Sequence, residues 1–390
     1  MARRVILIVM DGCGVGAMPD AAKYGNTDPL SATLQHVASA FGGLALPTLE
    51  AMGLGKVAAL AGVSAKGPAL GGFGRCAEQS AGKDSVTGHW EMMGIVTKIP
   101  FPTYPNGFPA DFIVELEQAF GTKIIGNVAS SGTEIIKNLG EDHVRTGRPI
   151  VYTSADSVLQ IAAHESVIPL DKLYRMCEAA RFLADPPNNV QRVIARPFVG
   201  DSAATFTRTE NRRDFPALPP KVNILTALKT AAKRTHAIGV VADLFPRDYF
   251  TTAERTQANA QHLTAIEQAV AGDGFDFLFA NCEDFDMLFG HRNDPRGFAE
   301  SLAEFDRRLA GIVAELRPDD LLILTADHGN DPTTASTDHS REYAPVLVCG
   351  GGLSHNVDLG TRNSFADIGA TVAKYLGAEW TGAGRSLLPD

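Results

Sequence analysis

The chain has 390 residues, of which 45% are hydrophobic and 21% charged, a composition typical of a globular protein with two domains of roughly 100–200 residues each. Its formal net charge of -10, without a run of basic residues, argues against nucleic acid or a membrane surface as partner, because phosphates repel an acidic protein. Apolar runs fall short of the ~18 residues of a membrane span and the five cysteines are scattered, so we expect a protein of the reducing cytoplasm.

The chain opens with a short apolar segment, Val5–Met10, that ends abruptly in Asp11. The segment is too short for a signal peptide and lacks a small-residue cleavage site, so we interpret it as a buried strand. The turn that follows, Gly12–Gly16, is similar to the glycine-rich fingerprint of dinucleotide-binding domains. That fingerprint requires a strand ending in an acidic residue about 20 residues on, which is missing, so a flexible glycine-rich turn is the favoured interpretation.

A polar loop flanked by glycines, Gly82–Glu91, offers two hydroxyl groups, those of Ser85 and Thr87. A serine hydroxyl is a poor nucleophile at neutral pH unless a base or a metal ion activates it. We take Ser85 as the candidate nucleophile and Thr87 as the neighbour most easily mistaken for it.

Residues 100–220 interrupt the pattern of the rest of the chain and are bounded by proline-rich segments. The elements predicted there are two helices and three strands, at Asp111–Phe120, Leu173–Leu183, Lys123–Val128, Pro149–Thr153 and Arg192–Val199. We interpret this stretch as a second, α+β domain inserted into the first. Residues 1–99 and 221–390 would then form the main domain together.

After the inserted stretch, four short apolar runs predict strands, at Ala237–Val241, Phe275–Phe279, Leu321–Leu324 and Pro345–Val348. Two helices are predicted between them, Thr256–Ala271 and Arg296–Leu316, where apolar residues recur every three to four positions. Continuous apolar strands alternating with helices are typical of an α/β doubly wound, mostly parallel sheet.

Acidic and histidine side chains follow three of the predicted strands or lie in the loops after them, at Asp11, Asp286, His291, Asp327, His328, Asp338 and His339. Taken singly, each is explained by a helix cap or a surface histidine. Because ligands bind at the carboxyl ends of parallel strands, we expect these side chains to converge there. Carboxylate and imidazole ligands suit Mn²⁺ or Zn²⁺ better than Ca²⁺. Two ions about 4 Å apart would clamp a phosphoryl group and lower the pKa of a coordinated hydroxyl.

Several segments of the main domain resemble the metal-site motifs of the phosphopentomutase family, within the alkaline phosphatase superfamily. They are Met10–Gly12, Gly82–Glu91, Phe285–Arg292, Thr325–Pro332 and Thr337–Glu342. In the inserted stretch Val151–Glu165 and Arg192–Gly200 are similar to it as well, and the resemblance extends to Phe365–Thr371. It implies an alkaline-phosphatase-like α/β core with an inserted cap that binds the substrate.

The resemblance also implies an activity and a set of ligands. The activity is interconversion of ribose 1-phosphate, or its deoxy analogue, and ribose 5-phosphate, through a phosphorylated hydroxyl residue and a sugar bisphosphate. Two Mn²⁺ ions are implied, with Zn²⁺ or another divalent ion as the alternative, and ribose 1,5-bisphosphate or glucose 1,6-bisphosphate as activator. One metal would be surrounded by Asp11, Ser85, Asp327 and His328 and the other by Asp286, His291 and His339. The sugar and its distal phosphate would be held by Ser154, Asp156, Arg192, Ile194 and Arg208.

Three positions depart from the family pattern. Ser85 stands where the family usually has threonine, a change that keeps the hydroxyl group. Val240 stands where a lysine usually helps to bind the substrate phosphate, and losing one charge-assisted hydrogen bond costs about 1.5–3 kcal/mol. Glu283 stands where an apolar residue is expected, for which the sequence offers no explanation.

Other functions stay open at this point. The same metal core would serve a mutase or a phosphomonoesterase that acts on a different phosphosugar, or a catalytically silent binding protein that kept the fold. A dinucleotide-dependent oxidoreductase built on Gly12–Gly16 would leave the histidines unexplained. We expect a small phosphosugar as substrate, and a monomer or weak homo-oligomer.

Overall fold

The computed structural model describes residues 3–154 and 157–388. The chain divides into two compact units, a larger one from Met1–Pro100 and Pro219–Asp390 and a smaller one, Phe101–Leu218. The assignment of residues 100–220 as the substrate-binding domain stays a prediction.

Within these residues the strands are, in chain order, β1 (Arg4–Met10), β2 (Gly72–Cys76), β3 (Ile125–Ala129), β4 (Ile150–Thr153), β5 (Val158–His164), β6 (Arg192–Val199), β7 (Thr207–Arg208), β8 (Arg213–Pro216), β9 (Thr235–Ile238), β10 (Thr252–Glu254), β11 (Phe277–Cys282), β12 (Asp320–Thr325), β13 (Ala344–Gly350) and β14 (Val357–Arg362). The helices are α1 (Thr33–Ala40), α2 (Pro47–Met52), α3 (Leu54–Val57), α4 (Ser85–Met92), α5 (Ala110–Phe120), α6 (Gly132–Thr146), α7 (Leu170–Leu183), α8 (Ile224–Thr230), α9 (Val241–Leu244), α10 (Asn259–Ala271), α11 (Pro295–Ala314) and α12 (Ala366–Leu376). In the part of the chain described, none of the helices is both long and apolar enough to cross a lipid bilayer.

The larger unit is built on an eight-stranded sheet in the order β10-β9-β11-β1-β12-β13-β2-β14. The first five strands of that order run parallel to one another, and β1 is buried along its whole length between β11 and β12. This confirms the predicted α/β class with a mostly parallel sheet. One detail was wrong: β13, predicted as one of the parallel strands, pairs antiparallel with both β12 and β2.

The predicted strand Ala237–Val241 was also wrong at its end, because β9 stops at Ile238 and α9 begins at Val241. Gly239 between them adopts a φ of +74°, a left-handed conformation that ends a strand. A Cβ atom at Gly239 would lie 3.1 Å from the carbonyl oxygen of Asn281. The chain therefore turns at a glycine packed against the neighbouring strand, a contact that an apolar run does not reveal.

The smaller unit has a six-stranded sheet in the order β3-β4-β5-β6-β7, with β8 also pairing with β6. Apolar residues of α5 and α7 cover one face of this sheet, and those of α6 pack on the other. The sequence interpretation missed β5 and α6. Alternate residues of β6 point to opposite faces, so Arg192, Ile194 and Arg196 share the face that carries α6.

A buried ion pair fixes the start of β1. The guanidinium of Arg4 donates to both carboxylate oxygens of Asp320, over 2.8 and 2.6 Å, and also to the carbonyl oxygens of Val270 and Gly272. Both charged side chains are buried, with 2% and 0% of their surface exposed.

We expect Arg4→Ala to lower the free energy of unfolding by about 3–5 kcal/mol, because it leaves Asp320 as an unpaired buried charge. The matched control is Arg296→Ala, which removes an exposed pair with Glu300 and should lower stability far less. Denaturation with guanidinium chloride measures the free energy of unfolding of both variants. If both variants lost the same free energy of unfolding, the buried Arg4–Asp320 pair would not have the stabilising role that we assign to it.

Candidate metal centre

Acidic side chains from three neighbouring strands meet at one edge of the large sheet. Asp11 directly follows β1, Asp327 comes shortly after β12, and Asp286 lies in a π-helical turn, Phe285–Phe289, after β11. These strands are adjacent and parallel, so their carboxyl ends share an edge. The antiparallel β13 begins at the same edge, which brings in His339 from the loop before it.

The first group of predicted ligands lies around a single atom, the Nε2 of His328. This nitrogen is 3.4 Å from Asp11 Oδ1, 3.3 Å from Asp327 Oδ2 and 3.1 Å from the hydroxyl of Ser85. Both carboxylates and His328 are buried, and Ser85 is half-buried. The four residues predicted to surround one metal therefore lie together.

The second group consists of Asp286, His291 and His339. The Nε2 of His291 lies 3.1 Å from Asp286 Oδ2, and that of His339 lies 3.4 Å from Asp286 Oδ1. The two imidazole Nε2 atoms are 3.1 Å apart. Donor atoms of Asp286 also lie within 4.8 Å of those of Asp11 and His328, so Asp286 belongs to both groups.

The donor atoms fit divalent cations. Asp11 Oδ1 and Asp327 Oδ2 are buried and accept no hydrogen bond from the described residues. Leaving a buried carboxylate oxygen without a partner is costly, and a cation would satisfy both. The Nδ1 atoms of His328 and His291 lie 3.1 and 2.6 Å from the carbonyl oxygens of Gly329 and Thr337, which can only accept. Each Nδ1 must therefore carry the proton, leaving an Nε2 lone pair to bind metal.

The charges of the cluster also call for a cation. Burial raises the pKa of Asp11 well above its ordinary value, and the carboxylates of Asp327 and Asp286 raise it further. Burial opposes ionisation of Asp286 too, but His339 and His291 hold the pKa of that carboxyl well below its usual range. The Asp286 carboxylate outweighs the effect of burial on His339 and raises its pKa to about 9. In the metal-free protein, protonated His339 thus supplies part of the positive charge that the carboxylates need.

Ser85 is the first residue of α4, and its neighbours build the cap of this helix. Asp84 accepts hydrogen bonds from the backbone N–H groups of Val86 and Thr87, and the hydroxyl of Thr87 donates back to Asp84. The hydroxyl of Thr87 is therefore occupied, whereas that of Ser85 faces His328. The positive end of the helix dipole lies at Ser85, which favours a phosphate there.

His89 is a site residue that the sequence interpretation missed. It is fully buried, and its Nδ1 lies 2.8 Å from the carbonyl oxygen of Ser85 and 3.3 Å from Asp327 Oδ2. It therefore links the start of α4 to a predicted ligand. The sequence feature that could have revealed His89 is its position four residues after Ser85, because residues four apart lie on one face of a helix.

Two buried amides hold predicted ligands in place and were also missed. Asn281 donates to Asp11 Oδ2 over 2.6 Å, and Asn330 donates to Asp286 Oδ1 over 2.6 Å. Such hydrogen bonds orient carboxylates toward a metal. Asn281 lies in β11 opposite Val9 of β1, so strand register would have revealed it.

Arg341 joins the loop before the nucleophile to the loop of a predicted ligand. Its buried guanidinium donates to Glu78 over 2.7 Å and to the carbonyl oxygen of Gly82 over 2.6 Å. It follows His339 by two residues, and Gly82 precedes Ser85 by three. This buried contact fixes the two loops relative to each other.

The glycine-rich turn near the start of the chain accommodates a carboxylate rather than a dinucleotide. Glu342 is buried and accepts a hydrogen bond from the backbone N–H of Gly16 over 2.9 Å. A Cβ atom at Gly14 would lie 2.5 Å from Glu342 Oε2, so only glycine fits there. Because Glu342 already accepts the backbone N–H of Gly16, the geometry agrees with the interpretation as a simple glycine-rich turn.

Glu283, unexplained from sequence, lies beside the centre. Its carboxylate is 3.8 Å from the Nε2 of His262, which is buried. Burial, with the charges of Asp284 and Asp243, raises the pKa of Glu283 to about 7. Val240, the other unusual residue, is half-buried and directly precedes α9.

We expect Glu283→Gln to stabilise the metal-free protein at pH 8 but not at pH 4. A carboxyl with a pKa of about 7 when folded, against about 4.3 when unfolded, makes the folded state lose stability as pH rises between these values. The glutamine side chain does not ionise, so the variant should keep the free energy of unfolding, about 1–3 kcal/mol above pH 7, that the wild type loses. Denaturation curves at several pH values measure it, with the exposed Glu300→Gln as control. If the difference in the free energy of unfolding between the wild type and Glu283→Gln stayed the same at every pH, the prediction would be contradicted.

The substrate residues predicted for the smaller unit are not all close together. Arg192 and Ile194 lie on β6, Ser154 directly follows β4, and Asp156 lies outside the described residues. Arg208, on β7, pairs with Phe198, six residues along β6 from Arg192. At about 3.3 Å per residue their backbones are about 20 Å apart.

Comparisons with known proteins identify the family of this chain. A family model of the metalloenzyme superfamily matches residues 3–380. The phosphopentomutase of Acetivibrio thermocellus is 50% identical over 386 residues, covering 99% of each chain. That of Symbiobacterium thermophilum is 50% identical over 386 residues, covering 99% of this chain and 98% of its own.

Two solved structures share the fold. A protein of Pyrococcus horikoshii has a TM-score of 0.51 at 15% identity, covering 98% of this chain and 100% of its own. The phosphoglycerate mutase of Leishmania mexicana has a TM-score of 0.50 at 15% identity, and the match covers 99% of this chain and 98% of its own. The predicted fold of the alkaline phosphatase type is confirmed. The chain belongs to the metalloenzyme superfamily and, within it, to the phosphopentomutase family.

Proposed function

We propose that this chain interconverts the 1-phosphate and the 5-phosphate of ribose or deoxyribose, through a phosphoserine at Ser85 and a sugar bisphosphate. The observation that carries the proposal is the place of the Ser85 hydroxyl, at the start of α4 and 3.1 Å from His328 Nε2 among the buried carboxylates. The relatives named phosphopentomutase, about 50% identical over nearly the whole chain, support the reaction.

Two divalent cations would be held by this chain's own residues. Asp11, Asp327 and His328 would hold one beside Ser85, and Asp286, His291 and His339 the other. When bound, the ions supply positive charge to the phosphoryl oxygens and lower the pKa of the serine hydroxyl. We propose Mn²⁺ as the natural ion, with Zn²⁺ as the alternative, because both accept carboxylate and imidazole ligands.

The proposed reaction moves one phosphoryl group at a time. The bond between phosphorus and Ser85 Oγ breaks, a bond to the free hydroxyl oxygen of the sugar phosphate forms, and the hydroxyl proton passes to the serine. The bisphosphate then returns its other phosphoryl group to Ser85 and takes up a proton. The net result is an isomer of the substrate with no free phosphate, and a sugar bisphosphate such as glucose 1,6-bisphosphate would phosphorylate Ser85 at the start.

One observation favours a second candidate, a mutase or phosphomonoesterase for another phosphosugar. Val240 offers no charge where a phosphate-binding lysine was expected, and Glu283 and Asp243 place negative charge nearby. A substrate with its second phosphate elsewhere would suit this arrangement better.

We also propose that the protein works in the cytoplasm on a small phosphosugar. All five cysteines are free and buried, which suits a reducing compartment.

The test is an assay of purified protein with Mn²⁺ and a trace of glucose 1,6-bisphosphate. Conversion of ribose 1-phosphate to ribose 5-phosphate is followed by phosphorus NMR, and free phosphate is measured in parallel. Isomerisation without phosphate release is expected. Phosphate release without isomerisation would make the protein a phosphomonoesterase, and no turnover with two ions bound would point to another phosphosugar.

A further inference from the structure

Two loops of the larger unit carry candidate residues of the centre, the Ser85 loop (residues 77–84), which leads into Ser85, and the His339 loop (residues 337–342). Each loop has a basic residue two positions from its candidate residue, Lys83 before Ser85 and Arg341 after His339. The guanidinium of Arg341 extends to the Ser85 loop, where it donates to three backbone carbonyl oxygens over 2.8, 2.6 and 2.7 Å. The His339 loop therefore contacts the Ser85 loop through a buried cation.

The side chain of Lys83 extends in the opposite direction. Its ammonium group lies 2.9 Å from Asp338 Oδ2, in the His339 loop, and 3.2 Å from Asp28 Oδ2, in a third segment of the chain. Asp338 has 64% of its side chain exposed, whereas Asp28 has 1%. An exposed ion pair contributes little to stability, but a buried charge that loses its partner is costly. The pair with Asp28 is therefore the stronger of the two.

Asp28 holds both loops through one carboxylate. Its Oδ2 accepts a hydrogen bond from Lys83 Nζ, and its Oδ1 accepts one from the backbone N–H of Arg341 over 2.8 Å. Gly25 makes room for this arrangement, because a Cβ atom there would lie 2.5 Å from Asp28 Oδ2. Asp28, Lys83 and the backbone of Arg341 thus form a loop junction, which joins the Ser85 loop to the His339 loop.

The loop junction lies close to the candidate nucleophile along the chain. Only Asp84 stands between Lys83 and Ser85, and Arg341 is just as close to His339, so a shift at the junction moves both candidate residues. A displacement of about 1 Å between reacting groups can lower a rate about 100-fold. Loss of the junction should therefore change the rate of phosphoryl transfer and not stability alone.

We propose that Asp28 and Lys83 are positioning residues, which hold Ser85 in place relative to His339 while a phosphoryl group is transferred. They act through the two loops and take no part in the making or breaking of bonds. The inference rests on the proposed function for the role of Ser85 as phosphoryl acceptor. The loop junction itself consists of contacts between the chain's own residues, so it can be tested separately.

The kinetic test compares Lys83→Met with Lys229→Met, a control whose exposed side chain pairs with Asp248. We expect Lys83→Met to lower kcat for ribose 1-phosphate about 10- to 100-fold and to change KM less than about 2-fold, because substrate still binds but meets a displaced serine. Lys83→Arg, which keeps the charge, should recover part of kcat. Adding Asp28→Asn to Lys83→Met should lower kcat little further, because the two residues act as one unit. A loss of stability in Lys83→Met with the wild-type kcat would overturn the proposal.

A second measurement needs no turnover. Hydrogen exchange of the metal-free full chain, followed by mass spectrometry, reports how often each loop opens. Lys83→Met, a change in the Ser85 loop, should speed exchange of backbone N–H groups in the His339 loop at least ~10-fold relative to Lys229→Met. Equal exchange in the two variants would show that the loop junction does not hold the loops together, and the proposal would be wrong. The junction can thus stand where the wild type fails to isomerise ribose 1-phosphate, and it can fail where isomerisation succeeds.

Discussion

Replacing Ser85 with alanine is expected to lower the rate of isomerisation at least ~10³-fold, because loss of a catalytic nucleophile has effects of this size or larger. The structure offers no second hydroxyl in the same position within the described residues, since that of Thr87 is buried and bonded to Asp84. The variant should also take up no phosphate from labelled glucose 1,6-bisphosphate. Both the rate and the label can be measured on the same preparation.

The controls separate chemistry from folding. Ser85→Thr keeps a hydroxyl at the start of α4 and should retain phosphorylation. Thr87→Ala removes one member of the helix cap, which should cost about 1 kcal/mol of stability while leaving Ser85 able to accept phosphate. A Ser85→Ala protein that is labelled as fully as the wild type would show that another residue is the acceptor.

The grouping of the candidate metal ligands could largely be predicted, because these residues follow strands. Asp11, Asp286 and Asp327 come after apolar runs, and in a parallel sheet the ends of neighbouring strands share one edge. Loops at that edge then bring in His291 and His339 without further information. The local pattern was sufficient because residues that follow neighbouring parallel strands lie at the same edge of the sheet.

The residues that hold the predicted ligands in place were not predictable in the same way. Arg341 acts through a buried contact with Glu78, 263 residues earlier in the chain, and no local pattern indicates such a pairing. The same holds for Gly239, whose left-handed turn depends on packing against Asn281 of the next strand. Contacts between distant segments decide these features, and one sequence does not reveal them.

Glu283 shows a different limit. The sequence marked it as unusual, but only the structure places its carboxylate near a buried histidine, His262, and gives it a pKa of about 7. Burial therefore makes this carboxyl group harder to ionise than that of an ordinary glutamate. Together with Val240, it makes this edge of the larger unit's sheet less positive than the resemblance implies.

Asp286→Asn is expected to reduce the bound metal from two ions per chain to one or none, and to lower isomerisation at least ~10³-fold. Asp286 belongs to both groups of candidate ligands, so its substitution is expected to weaken both sites at once. An asparagine keeps one oxygen but loses the charge that a divalent ion requires. Metal content after dialysis, measured by mass spectrometry, gives the first result.

Loss of the Asp286 charge has a second, independent consequence in the metal-free protein. The carboxylate is what raises the pKa of His339 to about 9 against the effect of burial, so in Asp286→Asn this pKa should fall well below 9. Proton NMR titration of the imidazole would show it. The control Asp248→Asn, on an exposed carboxylate paired with Lys229, should change neither metal content nor the titration. Retention of two ions by Asp286→Asn would mean that Asp286 is not shared between the sites, and each group would then need a ligand of its own.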